Sequence, residues 1–301
     1  MKDDRHRREG HDEPCPDGGY AAGHDRTQGS RRWPQLRQIA TVAHTEYRLA
    51  VRSRWALALA GLFALFGAML ATFSGSAVGP EGMERVVASL TSLAVYLIPL
   101  AALAFGYDAI VGRDEDGWLG MVFSLPVSRA RVVVGTYLGR LVVLAGATVL
   151  GFGVVGALLL REFGVAYWGS FLGFLGGAIA VGAVFLALAL LVSTVAREKA
   201  HALGIALLVW VWFILVHDLL ALGVVAAFEL PDIVLTAFVL ANPASVFRIL
   251  VLGQLGTTAG GGFSAALAST NLSAGVLVAS LLVWSLLPVA AATFLIRRRR
   301  I

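Results

Sequence analysis

Residues 168–196 read WGSFLGFLGGAIAVGAVFLALALLVSTVA, with no Asp, Glu, Lys, Arg or His anywhere in the run. As an α-helix this stretch is about 43 Å long at 1.5 Å per residue, more than the roughly 30 Å hydrocarbon core of a bilayer. Only a helix closes all its backbone hydrogen bonds within one such segment, so the stretch reads as a membrane span. The rest of the chain agrees in composition. Of its 301 residues, 58% are apolar and 14% charged, with a mean hydropathy of +0.79, against about 45–50% and about 25% in soluble domains. A soluble enzyme, a disordered chain and a disulfide-stapled secreted domain are all poor descriptions. Cys15 is the single cysteine, so it forms no internal disulfide and does not report a redox compartment. The formal charge of +5 does not point to nucleic acid, because basic residues in a membrane protein first report which side faces the cytoplasm.

Outward from this run, five more segments are long enough to cross. Residues 55–73 and 86–105 are uncharged. Residues 132–160 carry Arg140 near one end, where its side chain can snorkel. Residues 202–228 carry His217 and Asp218, and residues 272–296 close the chain before Arg297–Arg300. The expected fold is an all-α polytopic membrane protein with six transmembrane helices and both termini on one side. Arg31, Arg32, Arg37, Arg48, Arg52, Arg54, Arg113, Arg129, Arg131, Arg197, Lys199 and Arg297–Arg300 fall on the tail side; only Arg85, Arg161 and Arg248 fall opposite. That asymmetry predicts cytoplasmic termini in the cell membrane.

The remaining segments are of three kinds. Residues 1–32 are polar and lack an apolar h-region, so a disordered cytoplasmic tail is expected and a cleavable signal peptide is not. His6, His11, His24 and Cys15 in this tail match no metal-ligand spacing. Residues 33–54 alternate an apolar face (Leu36, Ala40, Ala43, Tyr47) with a basic one (Arg37, Thr41, His44, Arg48, Arg52). This predicts an amphipathic helix lying beside anionic headgroups, or a basic stop before the first span. Residues 229–271 hold two apolar pieces too short to span, divided by Asn242-Pro243; they predict a re-entrant or interfacial outer hairpin. Gly135 and Gly139, and Gly169, Gly173 and Gly177, form small-xxx-small ladders for close helix packing, with a dimer seam as the alternative.

No catalytic residue and no metal site is assigned. The lysines are Lys2 and Lys199, and neither lies in a phosphate-binding G-x-x-x-x-G-K-[ST] loop. There is no C-x-x-C or H-E-x-x-H. Ser264 with His217 is a serine–base pair only in the loosest sense. Asn271-Leu272-Ser273 matches a glycosylation sequon but abuts a span. His217 and Asp218 are costly inside an apolar helix unless partnered or hydrated, which marks either a gate or conduit, or a structural helix–helix contact.

Residues 108–131 form the most distinctive connection. A charged cluster, Arg113-Asp114-Glu115-Asp116, precedes Gly117 and an apolar stretch with Trp118, Leu119, Met121, Val122 and Phe123; Pro126-Val127-Ser128-Arg129 follows. Trp118, Val122 and Leu125 can share one helical face and meet a soluble partner, or the apolar residues can rest among headgroups. Ser128 is placed to N-cap the third span.

At these residues the chain resembles the permease subunit of ABC-2-type transporters. The acid–Arg cluster, Gly117, Leu119 and Pro126-Val127-Ser128-Arg129 match the family's coupling segment. The basic entry helix, six spans and outer hairpin match as well, over about Trp33 to Ile301. Within the family the chain looks most like the NosY branch, used in maturing nitrous oxide reductase. Pro126-Val127-Ser128-Arg129, His217-Asp218-Leu219 and Asn242-Pro243-Ala244-Ser245-Val246-Phe247-Arg248 carry that likeness. Ser245 stands where the branch has Asp, and Trp118 and Gly120 where it has Thr and Glu.

The resemblance implies a homodimer above two separate ABC ATPase subunits, which would hold ATP and Mg; this chain itself would need no cofactor and would not be an enzyme. It assigns ATPase coupling to Arg113, Glu115, Gly117, Trp118, Leu119, Val122, Pro126, Ser128 and Arg129. It assigns contact with a periplasmic or extracellular accessory protein to Asn242, Pro243, Phe247 and Arg248. The branch serves copper-site assembly, yet the chain has no copper ladder, so a sulfur species or transmitted force suits its residues better. The alternatives are an ABC-2 exporter of another substrate, a non-transporting membrane anchor for an outer protein, and an intramembrane enzyme.

Overall fold

The computed structural model describes residues 33–52, 54–74, 80–117, 128–164, 168–227, 231–254 and 272–298. The expected tail, residues 1–32, and the stretches 118–127 and 255–271 lie outside them. The described residues form helices and turns only. In chain order these are α1 (Trp33–Arg52), α2 (Trp55–Ser74), α3 (Pro80–Gly106), α4 (Val111–Glu115), α5 (Arg129–Phe163), α6 (Trp168–Val195) and α7 (Lys199–Val211). A π-helical turn, Trp212–Val216, joins α7 to α8 (His217–Ala227); α9 (Asp232–Leu240), α10 (Pro243–Gln254) and α11 (Ala274–Arg298) follow.

The chain is an all-α polytopic membrane protein, as its composition requires. Glu84–Glu115, Arg129–Arg161, Trp168–Val195, Lys199–Val224 and Ala274–Arg298 are long and apolar enough to cross a membrane. The 20 residues of α2 make a shorter sixth apolar helix of about 30 Å. Between α9 and α10 the axis bends by 107°, so this pair folds back as a hairpin.

The helix quoted first is the centre of the molecule. A helix that is apolar on every side belongs in the interior. α6 accordingly packs against α3, α5, α10 and α11 and buries Phe171, Phe174, Val181, Phe185 and Leu186. A row of aromatic rings runs from α2 to the hairpin. Phe63 stacks on Phe152 at 5.3 Å between ring centroids, Phe152 meets Phe174 edge-on at 5.1 Å, and Phe174 meets Phe247 at 6.4 Å. The ladder glycines pack within the chain except Gly169, where a Cβ would meet nothing within 4 Å. Gly135 and Gly139 face α1, and Gly173 and Gly177 face Gln254 and Phe247 of α10.

The entry helix departs from expectation. It docks on α5 through Ile39, Val42, Ala43 and Glu46, at close approach to Gly135 and Gly139. Its buried face is therefore set by a charge, Glu46, and the expected apolar face is left exposed at Ala40 and Tyr47. Thr41, His44 and Arg48 do point outward. The reason is that Glu46 finds cationic partners inside the bundle, which reverses the usual preference of a carboxylate for water.

Candidate functional site

Two polar regions sit at opposite ends of the bundle. The first is built around α4. The chain turns through Tyr107–Ile110 after α3; the Gly112 N–H bonds back to the Asp108 carbonyl at 3.0 Å, while the amides of Ile110 and Val111, at the start of α4, turn to a side chain. The buried Ser193 hydroxyl of α6 fills that role, accepting the N–H of Ile110 at 2.9 Å and of Val111 at 3.1 Å. Arg113 then points back into the bundle, ion-paired to Glu46 of α1, with Nη1 donating to Thr136 Oγ1 at 3.1 Å. Arg140 of α5 completes the group. It donates to Asp108 Oδ1 at 2.7 Å and to the Phe105 carbonyl, lies over the Phe105 ring, and comes within 4.0 Å of Glu46. Arg140 thus reaches from a buried carboxylate, Glu46, to a partly exposed one, Asp108.

The far end of α4 faces α7. Glu115 accepts the backbone N–H of Lys199 at 2.6 Å, at the amino end of α7, where the helix dipole favours a carboxylate. The Lys199 ammonium lies 3.6 Å from Glu115 and 3.4 Å from Asp116. Gly117 then adopts φ +70°, a left-handed turn that costs glycine no steric penalty.

Of the residues assigned to ATPase coupling, the structure describes Arg113, Glu115, Gly117, Ser128 and Arg129; Trp118, Leu119, Val122 and Pro126 lie outside the described residues. Ser128 stands at the N-cap of α5 with extended backbone, but its hydroxyl makes no capping bond; its carbonyl accepts the N–H of Arg131 instead. Arg129 Nη1 lies 3.5 Å from the Ile296 carbonyl, near the electronegative end of α11. Glu46 and Ser193 escaped sequence reasoning. One is a lone acid in a basic helix, and the other one of three hydroxyls (Ser170, Ser193 and Thr194) in an apolar run, with nothing to single it out.

At the opposite end, residues assigned separately to a gate and to an outer contact form one cluster. Asp218 Oδ2 accepts from Arg248 Nη1 at 3.1 Å, Asp218 Oδ1 lies 3.5 Å from Ser245 Oγ, and His217 Nδ1 lies 3.0 Å from Asn242 Nδ2. Asn242 is the N-cap of α10 and Pro243 its first residue, the arrangement that helix starts favour: Asn242 Oδ1 accepts the Ala244 N–H at 2.9 Å. Nδ2 of the same side chain donates to the Phe213 carbonyl in the π turn at 2.8 Å. Trp284 of α11 closes the other side of the hairpin, donating to the Leu240 carbonyl at 2.9 Å. Asn242, Pro243 and Phe247 are buried in the chain itself, so the expectation that they touch an outer protein is corrected. Their burial follows from the job they do: Asn242 and Pro243 start α10, and Phe247 fills the space above Gly177. Only Arg248 of this set keeps part of its surface outward.

Among the described residues no three His, Cys, Asp or Glu side chains gather to hold a metal ion. Both regions join elements that lie far apart in sequence, which suits the transmission of movement.

Comparison with known proteins agrees in kind. A family model described as ABC-2 family transporter protein matches residues 40–300. A protein of Pseudomonas aeruginosa named "Probable ABC transporter permease protein NosY" is 38% identical over 272 residues, covering 87% of this chain and 99% of the relative. A protein of the same name from Stutzerimonas stutzeri is 36% identical over 275 residues, covering 88% and 99%.

Proposed function

We propose that this chain, which belongs to the ABC-2 transporter family as an ABC transporter permease subunit, turns ATP hydrolysis on a separate soluble ATPase into movement of its helix bundle. The observation that carries this reading is the seat of α4. One short charged helix is held by Ser193 of α6 at its start and by Lys199 of α7 at its end, and Arg113 ties it to α1. A displacement delivered to the 108–131 connection therefore reaches three long helices at once. The residues that follow, Trp118, Leu119 and Val122, would supply the apolar contact with the ATPase. ATP and Mg would belong to that subunit, and this chain would have no enzymatic site of its own.

The reading extends to the cell. The excess of Arg and Lys on the α4 side supports a topology in which that side and both termini face the cytoplasm at the cell membrane. Two copies of the chain would stand over two ATPases, using the exposed apolar faces of α7, α8 and α11, where Leu208, Leu219, Leu286 and Leu287 lie bare. The likeness to the two NosY permeases supports a role in copper-site maturation of nitrous oxide reductase, with Arg248 presented to a periplasmic or extracellular accessory protein. Cargo in that case would be a sulfur species, or none, with force alone transmitted outward. An ABC-2 exporter of another substrate is the second reading, favoured by Ser245 standing where the branch has Asp.

The test is co-purification of the tagged chain with a soluble ABC ATPase co-expressed from the same organism. Changing Trp118, Leu119 and Val122 together to Glu would bury charge in an apolar contact and is expected to cut recovered ATPase at least roughly tenfold, the factor equivalent to about 1.4 kcal/mol. Full recovery with the triple variant would overturn the coupling assignment.

A further inference from the structure

The fifth span carries a π-helical turn, Trp212–Val216, where it meets the hairpin. His217 N–H bonds to the Trp212 carbonyl, five residues back. In an α-helix it would bond four residues back, to Phe213. That displaced carbonyl is not left empty: Asn242 Nδ2 donates to it at 2.8 Å. The same carboxamide caps α10 through Oδ1 and lies beside His217 Nδ1. One fully buried side chain thus occupies the acceptor that an α register would reclaim.

We propose that Asn242 is a positioning residue that latches the fifth span in its π register, and that the permease works by exchange with a rewound register in which the Phe213 carbonyl takes back the His217 N–H. The proposal rests on the permease reading for its purpose, though not for its geometry. Rewinding turns α8 by about 100° and shifts it by about 1.5 Å relative to α7, one residue's worth of helix. His217 then leaves Asn242 and Asp218 leaves Arg248, so the hairpin and the span part together.

Three further observations favour two arrangements. His217 is buried, yet its Nε2 has no hydrogen-bond partner among the described residues, an omission that one permanent arrangement would be expected to repair. The Asp218 and Arg248 side chains are 26% and 19% exposed, so water can take over each charge when they part. Leu208, Trp212, Leu215 and Leu219 are exposed along this span, so rotation there disturbs little packing. π turns inside α-helices recur at functional sites.

The experiment uses the chain with its ATPase in lipid nanodiscs, diluted with unlabelled chain, carrying spin labels at Leu219 and Ile233. These positions are 69% and 78% exposed, on α8 and α9. Wild type is expected to show two distance populations whose ratio changes between nucleotide-free and ATP-trapped states. Asn242→Asp keeps the acceptor for Ala244 N–H but sets an oxygen against the Phe213 carbonyl; it is expected to shift the ratio toward the second population without nucleotide. Deleting Leu215 removes the stored residue while leaving His217 and Asp218 facing the hairpin. It is expected to give the first distance alone, with or without ATP. Unchanged distances in Asn242→Asp would overturn the latch, and so would continued exchange in the deletion. The Asn242→Asp comparison needs no nucleotide, so a shift there upholds the latch even if ATPase coupling fails, while intact coupling without a shift removes the latch alone. Should Asn242→Asp not fold, the wild-type and deletion samples decide by themselves.

Discussion

Glu46 shows how a single side chain can set the docking of a helix. It is buried, paired with Arg113, and 4.0 Å from Arg140. Removing one partner from a buried ionic group costs about 3–5 kcal/mol, because the charges left behind stay out of water. Glu46→Ala is therefore expected to lower the thermal midpoint of the detergent-solubilised chain by several degrees, with Glu46→Gln in between because it keeps an acceptor. A Glu46→Ala melt that overlays wild type would show that the cluster carries no weight. Sequence reasoning had no access to this residue. A periodic search rewards apolar or basic repeats, and one acid among bases falls on neither. His217 and Asp218 were legible as polar residues in an apolar run, Asn242 as the break between the hairpin's two pieces, and Arg248 as a basic residue on the outer side. That they hold one another was not, because their partnership depends on a hairpin fold that spacing alone does not specify.

At the scale of helices, the glycines of α5 decide which neighbours come close. A Cβ at Gly139 would strike the Glu46 side chain and come 2.6 Å from the Ala43 carbonyl; at Gly135 it would lie 2.7 Å from Val42; at Gly146 it would meet nothing within 4 Å. Gly139→Ala is thus expected to loosen α1 from α5, seen as faster amide exchange over residues 39–49. Gly146→Ala should leave exchange unchanged and gain up to about 1 kcal/mol from helix propensity. Equal exchange in the two variants would mean that α1 does not need this close approach. The spans themselves could be read from length and hydropathy, since an uncharged run of this size has few other places to go. The π turn could not. One stored residue in Trp212–Val216 leaves hydropathy untouched, and the helix around it has no polar face whose phase would slip.

For the molecule as a whole, the parity of crossings follows from the bend between α9 and α10. These helices have 9 and 12 residues, about 14 and 18 Å, and at 107° to one another neither alone nor together do they form a straight span. If α2 crosses beside the five longer spans, the crossings number six and the two chain ends share one face. Reporter fusions at residue 1 and residue 301 are expected to give the same sidedness, both active where the cytoplasmic reporter is active. Opposite signals would mean that the bent pair crosses after all.

The contrast between the two holds on α4 has a mechanical sequel. At Ser193 the bonds are neutral and lie out of water, so ionic strength does not reach them; at Lys199 the pairing sits among exposed charges that salt screens over about 8–10 Å. One end of the short helix is a hinge pin and the other a catch on a door. A push from below would swing α4 about Ser193, and added electrolyte would make the catch easier to slip while the pin stays seated.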